Sequence, residues 1–286
     1  MKTYYDCLPC LIRQAVEAVR MVTDDEAVQE KVIRQVLLET ARIDLQKTPP
    51  HMARIIHRHI KEALGNIDPY KDIKDRFNQF AMQMYAKLQK QVQNSADPFE
   101  TALRLAIAGN IIDFGVRVDI EEQHIEETIE ECLKSPIVFN SPDDLQKAID
   151  AAKNILFLGD NAGEIVFDKL LIEQMPMDKI SYAVKGFPII NDATMEDAID
   201  TGMTGLVKVL DNGCDAPGTI LELCSEKFQE VFRQADLVIA KGQGNYETLS
   251  GVNDKDIFFL LKVKCPVIAQ DLECECGSIV VKRITA

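Results

Sequence analysis

This sequence predicts an α/β protein: an all-helical N-terminal domain packed on a Rossmann-like three-layer α/β domain with a mostly parallel sheet. Two observations predict it. Residues 1 to about 135 place apolar residues at helical spacing almost throughout, with no convincing strand. After Ser135-Pro136 and Ser141-Pro142, short apolar runs alternate with helical segments, which indicates strands joined by helical crossovers. The expected division is 1–135, a helical bundle or cap, and 136–286, the α/β domain.

In the first half, Leu11, Ala15, Ala18 and Val22 form one apolar stripe, and Val32, Ile33, Val36, Leu37 and Thr40 form a second. Segments near 51–64, 70–93, 98–112 and 120–133 continue the pattern. The breaks at Thr48-Pro-Pro50, Gly65-Asn-Ile-Asp-Pro69 and Ser95-Ala-Asp-Pro98 carry turn and N-cap chemistry. In the second half the strand candidates are Ile155–Leu158, Ile180–Val184, Leu206–Leu210, Leu237–Ala240, Ile257–Leu261 and Val267–Ala269, with Ile279–Ile284 as a final edge strand. Helices are expected over roughly 163–175, 192–200, 217–234 and 244–250.

The net charge of −14 disfavours nucleic acid and anionic membranes as partners. It is unevenly placed: residues 1–140 hold 18 Lys/Arg against 22 Asp/Glu, and residues 141–286 hold 14 against 24. A phosphate bound here needs a metal and a few aimed cations. No apolar run approaches the roughly 20 residues of a membrane span. Met1-Lys-Thr-Tyr-Tyr-Asp-Cys7 lacks an apolar signal core, and eight cysteines without an export signal fit reduced thiols, so a cytoplasmic protein is expected.

The candidate chemistry lies where strands end. Gly159-Asp-Asn-Ala-Gly-Glu164 joins an apolar strand to a helix and offers two adjacent oxygen donors, Asp160 and Asn161. Asn191 and Asp192 follow the second strand. Asp211-Asn-Gly-Cys-Asp215 follows the third, and Lys241-Gly-Gln-Gly-Asn245 the fourth. In a parallel sheet these ends converge on one edge, where ligands bind. Asp160, Asn161 and Asp192 suit Mg²⁺ or Mn²⁺. Lys241 suits a phosphate, and its neighbouring glycines let backbone approach the same oxygens. Singly, Asp160 and Asp192 read as turn or cap residues and Lys241 as a solvated lysine; the set carries the argument. In the helical half, Asn110 and Asp113 of Ala108-Gly-Asn-Ile-Ile-Asp113 share a helical face and read equally as polar caps or as a contribution to the site.

Together, Gly159-Asp-Asn-Ala-Gly-Glu164, Asn191-Asp-Ala-Thr194, Ala235-Asp-Leu-Val-Ile-Ala-Lys-Gly-Gln-Gly-Asn-Tyr246, Gly109-Asn-Ile-Ile-Asp113 and the opening Asp6-Cys-Leu-Pro-Cys10 resemble the damage-control phosphatase family, formerly domain of unknown function 89, in its prokaryotic Cys-x-x-Cys form. The resemblance runs over nearly the whole chain. It implies a phosphatase dependent on a divalent metal (Mg²⁺, Mn²⁺, Co²⁺ or Ni²⁺) that hydrolyses phosphate monoesters of small metabolites. It further implies that Asp160, Asn161 and Asp192 hold the metal, that Lys241 contacts phosphate, and that Asn110 and Asp113 lie near the substrate. Gly163, Glu164, Asn191, Gly242 and Lys264 complete the expected substrate-binding set. Leu261-Lys-Val-Lys264 departs from the Arg-Thr-x-Lys of eukaryotic sugar-phosphate members, so that specificity does not transfer. Direct attack by water and a phosphoenzyme on a carboxylate such as Asp160 both stay open.

Cys7, Cys10, Cys274 and Cys276 pair at opposite ends of the chain. They read as buried or unengaged thiols, as a four-thiolate zinc site with one atypical spacing, or, for Cys7-x-x-Cys10, as a redox pair without its usual preceding strand. The histidines are expected at the surface or partly buried. Two rival functions are a nucleotide- or S-adenosylmethionine-binding transferase, against which the Gly-x-Gly-x-x-Gly fingerprint is missing, and a non-catalytic metal-binding interaction protein. Oligomeric state has no sequence signature.

Overall fold

The computed structural model describes residues 1–63, 65, 68–110 and 122–285. The helical half forms α1 (Cys7–Val22), α2 (Glu26–Thr40), α3 (Pro49–Ala63), α4 (Lys71–Gln93), α5 (Pro98–Gly109) and α6 (Glu122–Lys134). Their starts follow the local chemistry. Asp25 accepts hydrogen bonds from the Ala27 and Val28 amides at the head of α2, and Asp97 caps Glu100 N with Pro98 in the first turn of α5.

Then come β1 (Ile137–Phe139), α7 (Pro142–Ala151), β2 (Ile155–Leu158), α8 (Glu164–Ile172), β3 (Ile180–Val184), α9 (Met195–Asp200), β4 (Lys208–Asp211), α10 (Glu226–Gln234), β5 (Leu237–Lys241), α11 (Gly242–Leu249), β6 (Ile257–Lys262), α12 (Pro266–Leu272) and β7 (Ile279–Ile284). They build one sheet of order β1-β7-β6-β5-β2-β3-β4. Strands β2 to β6 pair in parallel, whereas β7 runs antiparallel to β6 and parallel to β1. The chain lays β3 and β4 on one side of β2 and β5 and β6 on the other. A crevice therefore opens at the carboxyl ends of β2 and β5, the topological switch point.

Because strand side chains alternate, each central strand feeds two layers. Phe157, Tyr182 and Ile239 face α5 and α8, in a core shared with Leu103, Ala106 and Phe167. Leu156, Val238 and Phe259 face the other side, with Phe228, Tyr246 and Ile268. Helices α4 to α6 thus belong to the layer on the sheet, while α1 to α3 keep a separate core of Leu11, Ala15, Val36, Ile56 and Ile60. Close approach of α5 to α8 requires a residue without a side chain at Gly109, where an added Cβ would lie 3.0 Å from Phe167 Cβ.

Several sequence expectations are corrected. Val267–Ala269 is not a strand: Pro266, lacking an N–H for a ladder, sits in the first turn of α12. The third strand begins at Lys208, after a 3₁₀ turn Met203–Gly205. β7 is not at the edge, because the three-residue β1 covers it, and β1 is too short to show a period in sequence. The segment 217–234 is helical only from Glu226, where Ser225 caps Phe228 N. His57 is buried beside Tyr70, with no hydrogen-bond partner for Nε2 among the described residues. Among the described residues no helix is long and apolar enough to cross a membrane.

Candidate active site

The loop after β2 and the loop before α9 are tied together through their backbones. Ala162 N donates to Asn191 O at 2.9 Å and Ala193 N to Asp160 O at 2.8 Å, forming an isolated antiparallel bridge between Asn161 and Asp192. Asp160 and Asn161 thereby share one wall with Asp192, 31 positions beyond Asn161 in sequence. Lys185, the first residue beyond β3, continues this wall: its N–H donates to Ala193 O at 2.8 Å.

Two glycines make the geometry possible. Gly163 opens α8 at φ +74°, and its N–H is capped by Asn78 Oδ1 of α4 at 2.7 Å. Gly242, at φ +77°, opens α11 directly against Asp160; a Cβ there would stand 1.8 Å from Asp160 Oδ2. The Asp160 carboxylate thus abuts the positive end of a helix that has no side-chain cap.

Asp160 and Asn161 are half-buried, whereas Glu164, Asp168, Lys185, Asp192 and Lys241 are buried around them. Asn110, the C-cap of α5, donates Nδ2 to Asp160 Oδ2 at 2.8 Å and to Glu164 Oε2 at 2.9 Å. Asn161 Nδ2 donates to the same two oxygens at 3.2 and 3.1 Å, so its amide oxygen is the atom left for a ligand. Beneath them, the Lys241 ammonium pairs with Glu164 and Asp168 and donates to Ala106 O at 2.8 Å, while Tyr182 Oη donates to Asp168 Oδ2 at 2.8 Å.

The charges are out of balance. Among the described residues, ion pairs within the cluster of four carboxylates, Asp160, Glu164, Asp168 and Asp192, come from Lys185 and Lys241. Loss of hydration raises the Asp160 carboxyl well above its usual range, and Glu164 and Asp192 push it further. Burial lifts Asp192 to about 6 despite Lys185, and lifts Asp168 to about 6 despite Lys241. Burial disfavours the Lys241 charge, but Asp168 and Glu164 outweigh it and hold its pKa above the ordinary lysine value.

A divalent cation fits this donor set. Asn110 Oδ1 and Asp192 Oδ2 are buried oxygens without a hydrogen-bond donor among the described residues, and hard oxygen donors with surplus negative charge are the environment Mg²⁺ and Mn²⁺ take. Two carboxylates and amide oxygens make up the set; among the described residues no group of three His, Cys, Asp or Glu side chains is placed to hold a metal ion.

Asp160, Asn161, Asp192, Gly163, Glu164, Asn191, Asn110 and Gly242 are therefore gathered as the sequence suggested. Lys241 lies in the same place but differently engaged, enclosed by acids with its three donors occupied. Lys264 is exposed beyond β6, and its charge acts on Asp160. Asp113 lies outside the described residues. The head of α8 leaves an anion little room, because the Ala162, Gly163, Ile165 and Val166 amides already have acceptors. Sequence reasoning passed over Lys185, Asp168, Tyr182 and Asn78. Lys185 alone had a signal, a lysine followed by glycine at a strand end, the same pattern as Lys241-Gly242. Cys7, Cys10, Cys274 and Cys276 do not assemble into a four-thiolate site. All eight cysteines are free, and it is Cys265 that stands in electrostatic reach of Cys7 and Cys10.

Residues 3–280 match the family model described as the damage-control phosphatase ARMT1-like domain. The chain belongs to the ARMT1-like damage-control phosphatase family. A damage-control phosphatase of Pyrococcus horikoshii is 37% identical over 287 residues, spanning 99% of this chain and 98% of the relative. One from Archaeoglobus fulgidus is 34% identical, spanning 97% and 98%. An uncharacterized protein of Methanocaldococcus jannaschii is 39% identical, spanning 97% and 94%. The crystal structure of a Pyrococcus horikoshii protein of the same family, under its older name DUF89, superposes with a TM-score of 0.91 at 36% identity over 99% of both chains. Membership in the damage-control phosphatase family supports a phosphatase, and hence hydrolase, role.

Proposed function

We propose that the chain is a divalent-metal-dependent phosphatase that hydrolyses phosphate monoesters of small metabolites. The observation that carries this reading is the backbone bridge that sets Asp160 and Asn161 beside Asp192 within a cluster of excess carboxylate charge. Asp160, Asn161 and Asp192 would hold the cation, which supplies charge neutralisation and Lewis acidity at a phosphoryl oxygen. Asn110 fixes the Asp160 carboxylate from the helical layer, and Lys241 holds Glu164 and Asp168 in place below it. The chain's own task is positioning, so that water meets the phosphorus in line with the departing alcohol. Gly242 lets the ester approach the head of α11, while Asn191 and Lys264 stand at the rim. A small ligand suits a protein of net charge −14, whose surface repels polyanions.

The transferase reading lacks a carrier: the amides of Ala162 and Gly163, where a dinucleotide phosphate would sit, already have acceptors. The test is hydrolysis of p-nitrophenyl phosphate with Mn²⁺ or Co²⁺, after EDTA, and in Asp160→Ala and Asp192→Ala. Activity restored by metal in the wild type and lower by about a thousandfold or more in both variants supports the reading. Full activity in EDTA, or in both variants, contradicts it.

A further inference from the structure

Donor geometry separates the two lysines of the site. An ammonium group has three N–H donors and no acceptor. Those of Lys241 are taken by Ala106 O, Glu164 and Asp168, at full burial, so a phosphate reaches this lysine only by breaking an interior ion pair. Lys185 is placed otherwise. It donates to Gly218 O and lies 3.3 Å from Asp192 Oδ2, an ion pair whose oxygen has no well-directed hydrogen-bond donor among the described residues. Only one of its three N–H groups is engaged in a well-directed hydrogen bond among the described residues.

Its mounting is firm. The backbone of Lys185 is held by Ala193, the next residue, Gly186, packs directly on Gly213, and Gly186 N donates to Asn212 Oδ1 at 3.0 Å. The head group therefore stays beside Asp192 while two donors remain for a ligand. Its charge, like that of Lys264, acts on Asp160. Lys185 thus pairs with one acid of the candidate metal set and acts on the other, where a phosphoryl oxygen would lie, whereas Lys241 pairs with Glu164 and Asp168.

We propose that Lys185 is the buried cation that binds the phosphoryl oxygens of the substrate, and that Lys241 is a positioning residue that holds Glu164 and Asp168 in place. This assignment rests on the phosphatase reading above. It makes Lys185 a bridge: its charge offsets Asp192 in the empty-handed protein and passes to the phosphate when the ester arrives. The predicted discrimination is for the dianionic phosphoryl group, with a second, solvent-side contact at Lys264.

The experiment uses inorganic phosphate as the probe, titrated into Mn²⁺-saturated protein by calorimetry, with Mn²⁺ affinity measured separately by EPR of the free ion. Lys185→Met should weaken phosphate binding about tenfold or more and raise KM for p-nitrophenyl phosphate in step, as expected for loss of a charge-assisted hydrogen bond. Its Mn²⁺ affinity should stay within about threefold of the wild type or tighten, since a positive neighbour of Asp192 is gone. Lys185→Arg should recover part of the phosphate affinity. Lys185→Gln, which keeps a donor for Gly218 O, serves if the Met variant does not fold. Phosphate affinity unchanged in Lys185→Met, or Mn²⁺ and phosphate affinity falling together, overturns the assignment, as does a full loss that tracks Lys264→Met instead. A wild-type protein that neither binds phosphate with Mn²⁺ nor hydrolyses the ester overturns the phosphatase reading itself, which the variants then need not decide.

Discussion

His57 shows how a single residue can escape a reading of spacing alone. It lies on a helix whose other histidines, His51 and His59, reach acidic partners, but its own ring turns inward with Nε2 unpaired. Burial, helped by Lys61, pulls its pKa down to about 4. The folded protein therefore holds this ring neutral while the unfolded chain protonates near 6.5, so the unfolded state binds more protons between those values. Its contribution is fully present above about pH 6.5 and is lost as pH falls towards 4, by up to about 3 kcal/mol. Urea unfolding at pH 7 and pH 5 should show a larger loss for the wild type than for His57→Phe; equal losses would show that the ring does not titrate this way. Lys241 teaches a similar lesson: the sequence marks it as special, but only the fold shows that its neighbours are Glu164, the first residue of α8, and Asp168, one helical turn further on.

At the scale of elements, the sheet strands that line the site were legible because they are apolar, four to six residues long and bounded by Gly, Asn and Asp. β1 and the start of β4 were not, since three residues cannot display a period and neighbouring 3₁₀ turns share the apolar composition. Equally hidden was the role of α4, whose polar residues carry no site signal in the sequence. Lys74 and Asn78 are in fact buried, and both reach Asp197 of α9, Lys74 Nζ at 2.9 Å from Oδ2 and Asn78 Nδ2 at 2.8 Å from Oδ1. Asn78 also caps α8, so one helix clamps both helices that flank the Asp160–Asp192 bridge. Breaking a buried ion pair from one side leaves an uncompensated charge, at a cost of about 3–5 kcal/mol. Lys74→Met should lower the urea midpoint accordingly, and Lys74→Met/Asp197→Asn should recover much of it. A double variant no more stable than the single one would mean that the pair does not join the layers.

For the molecule as a whole, one arrangement links fold to chemistry. The topological switch point brings β2 and β5 side by side, the backbone bridge adds the loop after β3, and α5 closes the crevice with Asn110. Parallel topology made the convergence of strand ends foreseeable from sequence, whereas the internal wiring of acids and lysines was not, because Lys241 meets Glu164 and Asp168 from 77 and 73 positions away. Among the described residues, the surplus of buried carboxylate over ammonium is the feature that most demands a counter-charge. Binding of Mn²⁺ to metal-free protein, followed by calorimetry alongside a thermal melt, tests that claim directly. One ion per chain, with a rise in Tm that Asp160→Asn and Asp192→Asn both abolish, is the predicted result; no binding, or binding that survives in both variants, would contradict it.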